Sequence, residues 1–201
     1  MSNGLLLLKY YQKIKGSHMK KTRLPILSLT LIILFVLLVH LPQAMAEQLQ
    51  YVGNKKCIAC HRAEFQSWQN DSHSRALDTL KPGAKAEAKI KAKLDPKKDY
   101  AADASCLPCH SVGYGKPAAP GADLTNVGCE SCHGPGSIYK SPTIMNKKKY
   151  QENRETQHNL AMESGLTEPA EQVCITCHNA NNPFSKGFNY KKMVENVKHK
   201  K

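Results

Sequence analysis

The chain has 201 residues and a formal charge of +13, from 29 Lys and Arg against 16 Asp and Glu. Six of those cations fall in the first 46 residues, which hold no acid, so residues 47–201 carry 23 basic and 16 acidic side chains and a net of +7. The remaining 155 residues fit a single domain.

Residues 1–18 precede a natural-looking start at Met19. "GSHM" at 16–19 resembles a cloning remnant, and an upstream start codon chosen in error explains the stretch equally well. Residues 19–46 read as a signal peptide: Met19-Lys20-Lys21-Thr22-Arg23 is a basic n-region, Leu24 to Leu41 an apolar h-region, and Ala44-Met45-Ala46 a small-x-small cleavage site. The apolar run of about 18 residues is near the minimum for a membrane span, so an uncleaved anchor is the rival reading. Pro25, Pro42 and the cleavage motif favour removal after Ala46, which places the mature chain in the periplasm or outside the cell.

In the mature part the first feature is Cys57-Ile-Ala-Cys60-His61. The stretch that follows, "HRAEFQSWQNDSHSRALDTL", has helical spacing that lets Phe65, Trp68, Ser72 and Leu77 face one side, with His73 near that helix. A second helix is expected over residues 84–94, closed by Asp95-Pro96. Its lysines, Lys85, Lys89, Lys91 and Lys93, read as a solvated face, with a docking patch for an acidic partner as the alternative. Cys106-Leu-Pro-Cys109-His110 comes next, and residues 111–128 shift to Gly, Pro and Ala, a loop composition. This leads to Cys129-Glu-Ser-Cys132-His133, flanked by Gly128, Gly134 and Gly136, where glycine permits close backbone approach or positive φ. Helices are expected from Arg154 to Gly165 and from Asn189 to Lys198, on either side of Cys174-Ile-Thr-Cys177-His178. No convincing strand pair is present.

The four Cys-x-x-Cys-His motifs use all eight cysteines. A disulfide framework or zinc knuckles make no demand on the residue after the second cysteine, and a thioredoxin-like dithiol occurs once in a βαβ setting. A c-type haem does make that demand, because it takes two thioether bonds and an axial imidazole from one short turn. The sequence therefore specifies four covalently attached haem c groups. Their attachment residues are Cys57, Cys60, Cys106, Cys109, Cys129, Cys132, Cys174 and Cys177, and their proximal iron ligands are His61, His110, His133 and His178. With fewer than 40 residues per haem, the porphyrins must supply most of the buried apolar surface. The expected fold is mainly α with extensive loops, a multihaem cytochrome c wrapped around four packed haems. Eight haem propionates bring the net of +7 to about −1 when ferrous and about +3 when ferric, so net charge gives nucleic-acid binding no support.

The opposite face of each haem decides whether it only passes electrons or also binds a small molecule. Three further histidines remain in residues 47–201, namely His73, His158 and His199, so histidine closes at most three irons. Homo-oligomerisation leaves that count unchanged, since each copy that borrows a ligand also lends one. His73 and His199 lead as distal ligands, followed by His158 in "RETQHNL". Met145, Met162 and Met193 are thioether alternatives, each also readable as a gap-filling apolar residue.

The segments "YVGNKKCIACH", "SWQNDSHSRAL", "AKLDPKKDYAADASCLPCHSVGYG" and "NVGCESCHGPG", in this order and followed by the final motif, resemble the tetrahaem cytochrome c-554 family over most of residues 51–178. The resemblance implies an exported, mainly helical electron carrier with haems in close pairs and one five-coordinate iron. It also implies distal roles for His73 and for His199 in "MVENVKH". Where the family soon has a histidine after "HGPG", this chain reads "SIYKSPTIMNKKKY". That departure leaves His158, Met145 or a second open haem as the alternatives.

The expected function is electron transfer between a donor and an acceptor protein through closely packed, mostly bis-histidine haems. Two rival classes are a nitric oxide or hydroxylamine reductase at an open iron, and a subunit of an extracellular conducting filament sharing a ligand across the junction, for which His199 stands near the C-terminus. Expected partners are redox proteins and the cytochrome c maturation machinery, with membrane contact only through the signal peptide or a membrane-bound redox partner. A homo-oligomer stays open.

Overall fold

The computed structural model describes residues 48–199, within the unit Glu47–Lys201. Residues 1–18, the signal peptide and its cleavage site lie outside the described residues. Among those described, the α-helices are α1 Arg62–Gln69, α2 Ala86–Lys91, α3 Leu107–His110, α4 Cys129–His133, α5 Lys147–Glu152, α6 Arg154–Glu163, α7 Glu171–Cys174 and α8 Tyr190–Val197. They hold no strand, only the isolated bridges Tyr51 with Ala118 and Ser111 with Thr125. The helix-and-loop class expected from the sequence is the one observed.

Local chemistry keeps the helices short. The run after the first motif does not continue as one helix, because the Asp71 carboxylate accepts from the backbone N–H of His73 at 2.8 Å and starts the 3₁₀ turn Ser72–Arg75. Phe65 and Trp68 do meet, with ring centroids 5.3 Å apart, whereas Ser72 and Leu77 belong to 3₁₀ turns. Likewise α2 is shorter than residues 84–94, bracketed by Lys85 and Lys93 at φ 51° and 60° in the left-handed region. Asn146, Asn153 and Asn189 cap α5, α6 and α8 by accepting from the N–H three residues on, each at 3.0 Å. Asn153 closes α5 as well as opening α6, so two helices fill a stretch where the pattern suggested one.

Tyr139, Ile144 and Ala161 form an apolar cluster with Ile138, Met145 and Leu166 packed around it. The other buried apolar residues, Val52, Ala76, Leu80, Tyr100 and Val112, lie outside that cluster. Lys89 departs from the solvated face expected of it and is 3% exposed. Its ammonium donates to the carbonyls of Leu80, at 3.1 Å, and Lys81, and stands 5.5 Å from the Tyr100 ring centroid. Those carbonyls also accept from the backbone N–H groups of Tyr100 and Ala84, each at 3.1 Å, so the buried cation takes their second lone pairs. Lys85, Lys91 and Lys93 remain exposed.

Candidate functional site

Each motif is a single tight helical turn. In the first and fourth, the histidine N–H bonds to the first cysteine's carbonyl at 2.9 Å, and the second and third are contained largely in α3 and α4. One turn of helix puts residues i, i+3 and i+4 on one face, so both thiols and the imidazole address the same side.

Spatial order differs from chain order. The Cys57 side chain lies beside Cys129, whose N–H donates to Asn54 at 2.8 Å, and Cys109 lies beside Cys177. The short helices α4 and α7, which carry the third motif and the start of the fourth, pack on each other. These contacts string the motifs first, third, fourth, second. Burial pushes the Cys109 and Cys132 thiols up to about 11. The neighbouring Cys57 is the largest cause of a still larger rise at Cys129.

Two motif histidines have a second imidazole facing them. His133 and His199 have ring centroids 6.3 Å apart at an interplanar angle of 24°, and His178 and His73 are 6.1 Å apart at 59°. With metal–nitrogen bonds of about 2.0 Å, two imidazoles ligating opposite sides of one metal have centroids roughly 6 Å apart. Both pairs match that spacing, so the donor set fits haem iron held between two imidazoles.

Polar neighbours fix the rings. His110 Nδ1 donates to the Ala76 carbonyl at 2.7 Å, leaving Nε2 for a metal. His73 Nδ1 lies 3.2 Å from the Asp71 carboxylate. Burial holds His73 and His133 below the usual histidine range; Asp71 opposes that at His73, and a hydrogen bond to the Thr167 backbone opposes it at His133. The neutral imidazole so favoured is the form that ligates.

The other sequence candidates sit elsewhere. His158 Nε2 lies 3.4 Å from the Glu168 carboxylate, beside Tyr150, Arg154 and Glu155 in a surface hollow. Met145 packs on the Tyr139 cluster, and Met162 and Met193 are 37% and 40% exposed.

A family profile described as "Cytochrome c554 and c-prime" matches residues 56–134. Cytochrome c-554 of Nitrosomonas europaea is 39% identical over 142 residues, 68% of this chain and 60% of that relative, so the chain spans somewhat under two thirds of its length. The solved reduced state of cytochrome c554 from Nitrosomonas europaea superposes with a TM-score of 0.64 and 34% identity, covering 75% of this chain and 84% of that one. The chain belongs to the cytochrome c554 family. As a cytochrome c554 family member it is a c-type cytochrome with four covalently attached haem c groups.

Several residues that build this cytochrome c554-type site escaped the sequence reading. Glu130, 1% exposed, accepts from the N–H groups of Val52 at 2.9 Å, Gly53 at 2.7 Å and Gly136 at 2.7 Å. Asn54 Oδ1 accepts from Cys129 N–H at 2.8 Å, and Trp68 Nε1 donates to Val127 at 2.9 Å. Together they press the third motif against the chain around the first. Glycine at 128 is required by this contact, since a Cβ there would stand 2.2 Å from Asn54 Oδ1. The glycines flanking the third motif thus serve close approach of polypeptide to polypeptide.

Proposed function

We propose that this c-type cytochrome is an electron carrier that works outside the cytoplasm, passing electrons between a donor and an acceptor protein along haems ordered as their motifs are, first, third, fourth, second. The observation that carries the reading is the adjacency of the motifs, with Asn54 beside the first bonded to Cys129 of the third, α4 packed on α7, and Cys109 beside Cys177, because a thioether fixes one edge of each macrocycle to its cysteine. Haem c supplies one-electron iron chemistry when bound. The chain's own contribution is positional. His199 opposite His133, and His73 opposite His178, offer the same two imidazoles in either oxidation state, so no ligand exchange accompanies electron transfer. Asp71 and the Ala76 carbonyl orient His73 and His110.

The signal-peptide pattern of residues 19–46, with removal after Ala46, supports export, and attachment outside the cytoplasm requires the maturation machinery. Exposed Lys85, Lys91 and Lys93 offer an acidic partner an attractive surface whose effect is on encounter rate and falls with salt.

Spectroelectrochemical titration of the purified mature protein tests this. Four electrons per chain are expected, with rapid equilibration among centres after a stopped-flow pulse of reductant. A colourless protein with the mass of bare chain, or centres that reduce without exchanging electrons, overturns it.

A further inference from the structure

We propose that two of the four irons, at His61 and His110, keep a sixth position for an exogenous small ligand, so that the first motif provides a second ligand site beyond the single five-coordinate iron implied by family resemblance. The proposal rests on the haem c reading of the motifs. It follows from where each spare ligand is spent. His199 faces His133 and His73 faces His178, both at the spacing of two imidazoles across a metal. His158, the remaining histidine of residues 47–201, is turned to the Glu168 carboxylate on α6. Met145 is engaged with the Tyr139, Ile144 and Ala161 cluster, and Met162 and Met193 lie at the surface. Among the described residues no second imidazole faces His61 or His110: the side-chain neighbour of His61 is Glu64 at 3.9 Å, and His110 has Thr79 and the Ala76 carbonyl.

Placement gives this count a meaning. The packing of α4 on α7, the Asn54 bond to Cys129 and the approach of Cys109 to Cys177 put the third and fourth motifs in the middle of the row and the first and second at its ends. The two closed irons are therefore the interior pair, and the two open irons are terminal, each beside a closed one. The matching ligands are small neutral π-acceptors, carbon monoxide or nitric oxide, on ferrous iron and small anions such as azide on ferric iron. Each terminal site has an electron reservoir next to it.

The test uses the mature holoprotein. Pyridine haemochrome absorbance first counts haems; fewer than four per chain would sink the underlying reading itself. With four present, the dithionite-reduced protein is titrated with carbon monoxide, and high-spin ferric signals are integrated by electron paramagnetic resonance. Two carbon monoxide molecules and two high-spin irons per chain are expected, and one or none overturns the proposal while leaving the haem reading intact. His158→Ala and Met145→Leu are expected to keep the count at two. A count that rises in either variant identifies that side chain as an iron ligand and also overturns it.

Discussion

At the scale of single residues, the side chains that matter most are those that hold others in place. Asp71 caps a 3₁₀ turn through the His73 N–H and sits beside His73 Nδ1, so one carboxylate both starts the turn after α1 and orients the His73 ring. Asp71→Asn is expected to raise the midpoint potential of a single haem and to speed replacement of His73 by added cyanide by about 10- to 100-fold, the usual reach of an outer-shell partner. Spectroelectrochemistry and stopped-flow absorbance read the two effects. Glu130 plays the structural counterpart. Glu130→Ala leaves three inward N–H groups without an acceptor, and a loss of about 3 kcal/mol is expected in the guanidinium unfolding of the holoprotein. Neither role was legible in the sequence. The Glu130 partners at Val52 and Gly53 lie 78 and 77 residues away, beyond any periodicity or spacing argument. The motif cysteines and histidines were legible because covalent chemistry fixes their local spacing, and His73 and His199 proved to lie against motif histidines.

Helices here are short because capping side chains compete with continuation, and the end of the last one brings His199 against His133. The last helix, α8, is held at its start by Asn189 and leads to His199 two residues past its end. Asn189→Ala should cost about 1 kcal/mol of helix stability and produce a high-spin fraction at the third haem that grows on warming, visible in the absorbance spectrum. Sequence patterns located α6 and α8 within a residue or two and missed α5, since its two-turn length and lysine-rich face give no apolar stripe. The same limitation misplaced Lys89. A lysine-rich run looks solvated by composition, whereas burial of one ammonium depends on two carbonyls contributed by a turn earlier in the chain. The glycine contact is a tertiary constraint as well. Gly128→Ala drives a methyl into Asn54 and is expected to destabilise the holoprotein by about 1–3 kcal/mol, measured by thermal unfolding.

Across the molecule, the balance of apolar burial and charge follows from what the chain encloses. Eight apolar side chains are buried among the described residues, and much of the fold is organised by backbone hydrogen bonds converging on the motifs. With a polypeptide net of +7 in residues 47–201, offset by propionates, long-range attraction to any partner is modest. Electron exchange with an acidic partner is expected to slow by no more than a fewfold between low and physiological salt, in contrast to a strongly basic carrier.

The row of motifs also bears on how the molecule is made. On the export route proposed above the chain leaves from its N-terminus, so the first and second motifs emerge before the third and fourth, yet they lie at opposite ends of the row. The earliest-loaded pigments have no neighbour until later segments arrive, and the bridge between them is completed by the last motif to leave the translocation pore. A nascent chain halted before Cys174 would carry three coloured centres with its second one stranded from the other two.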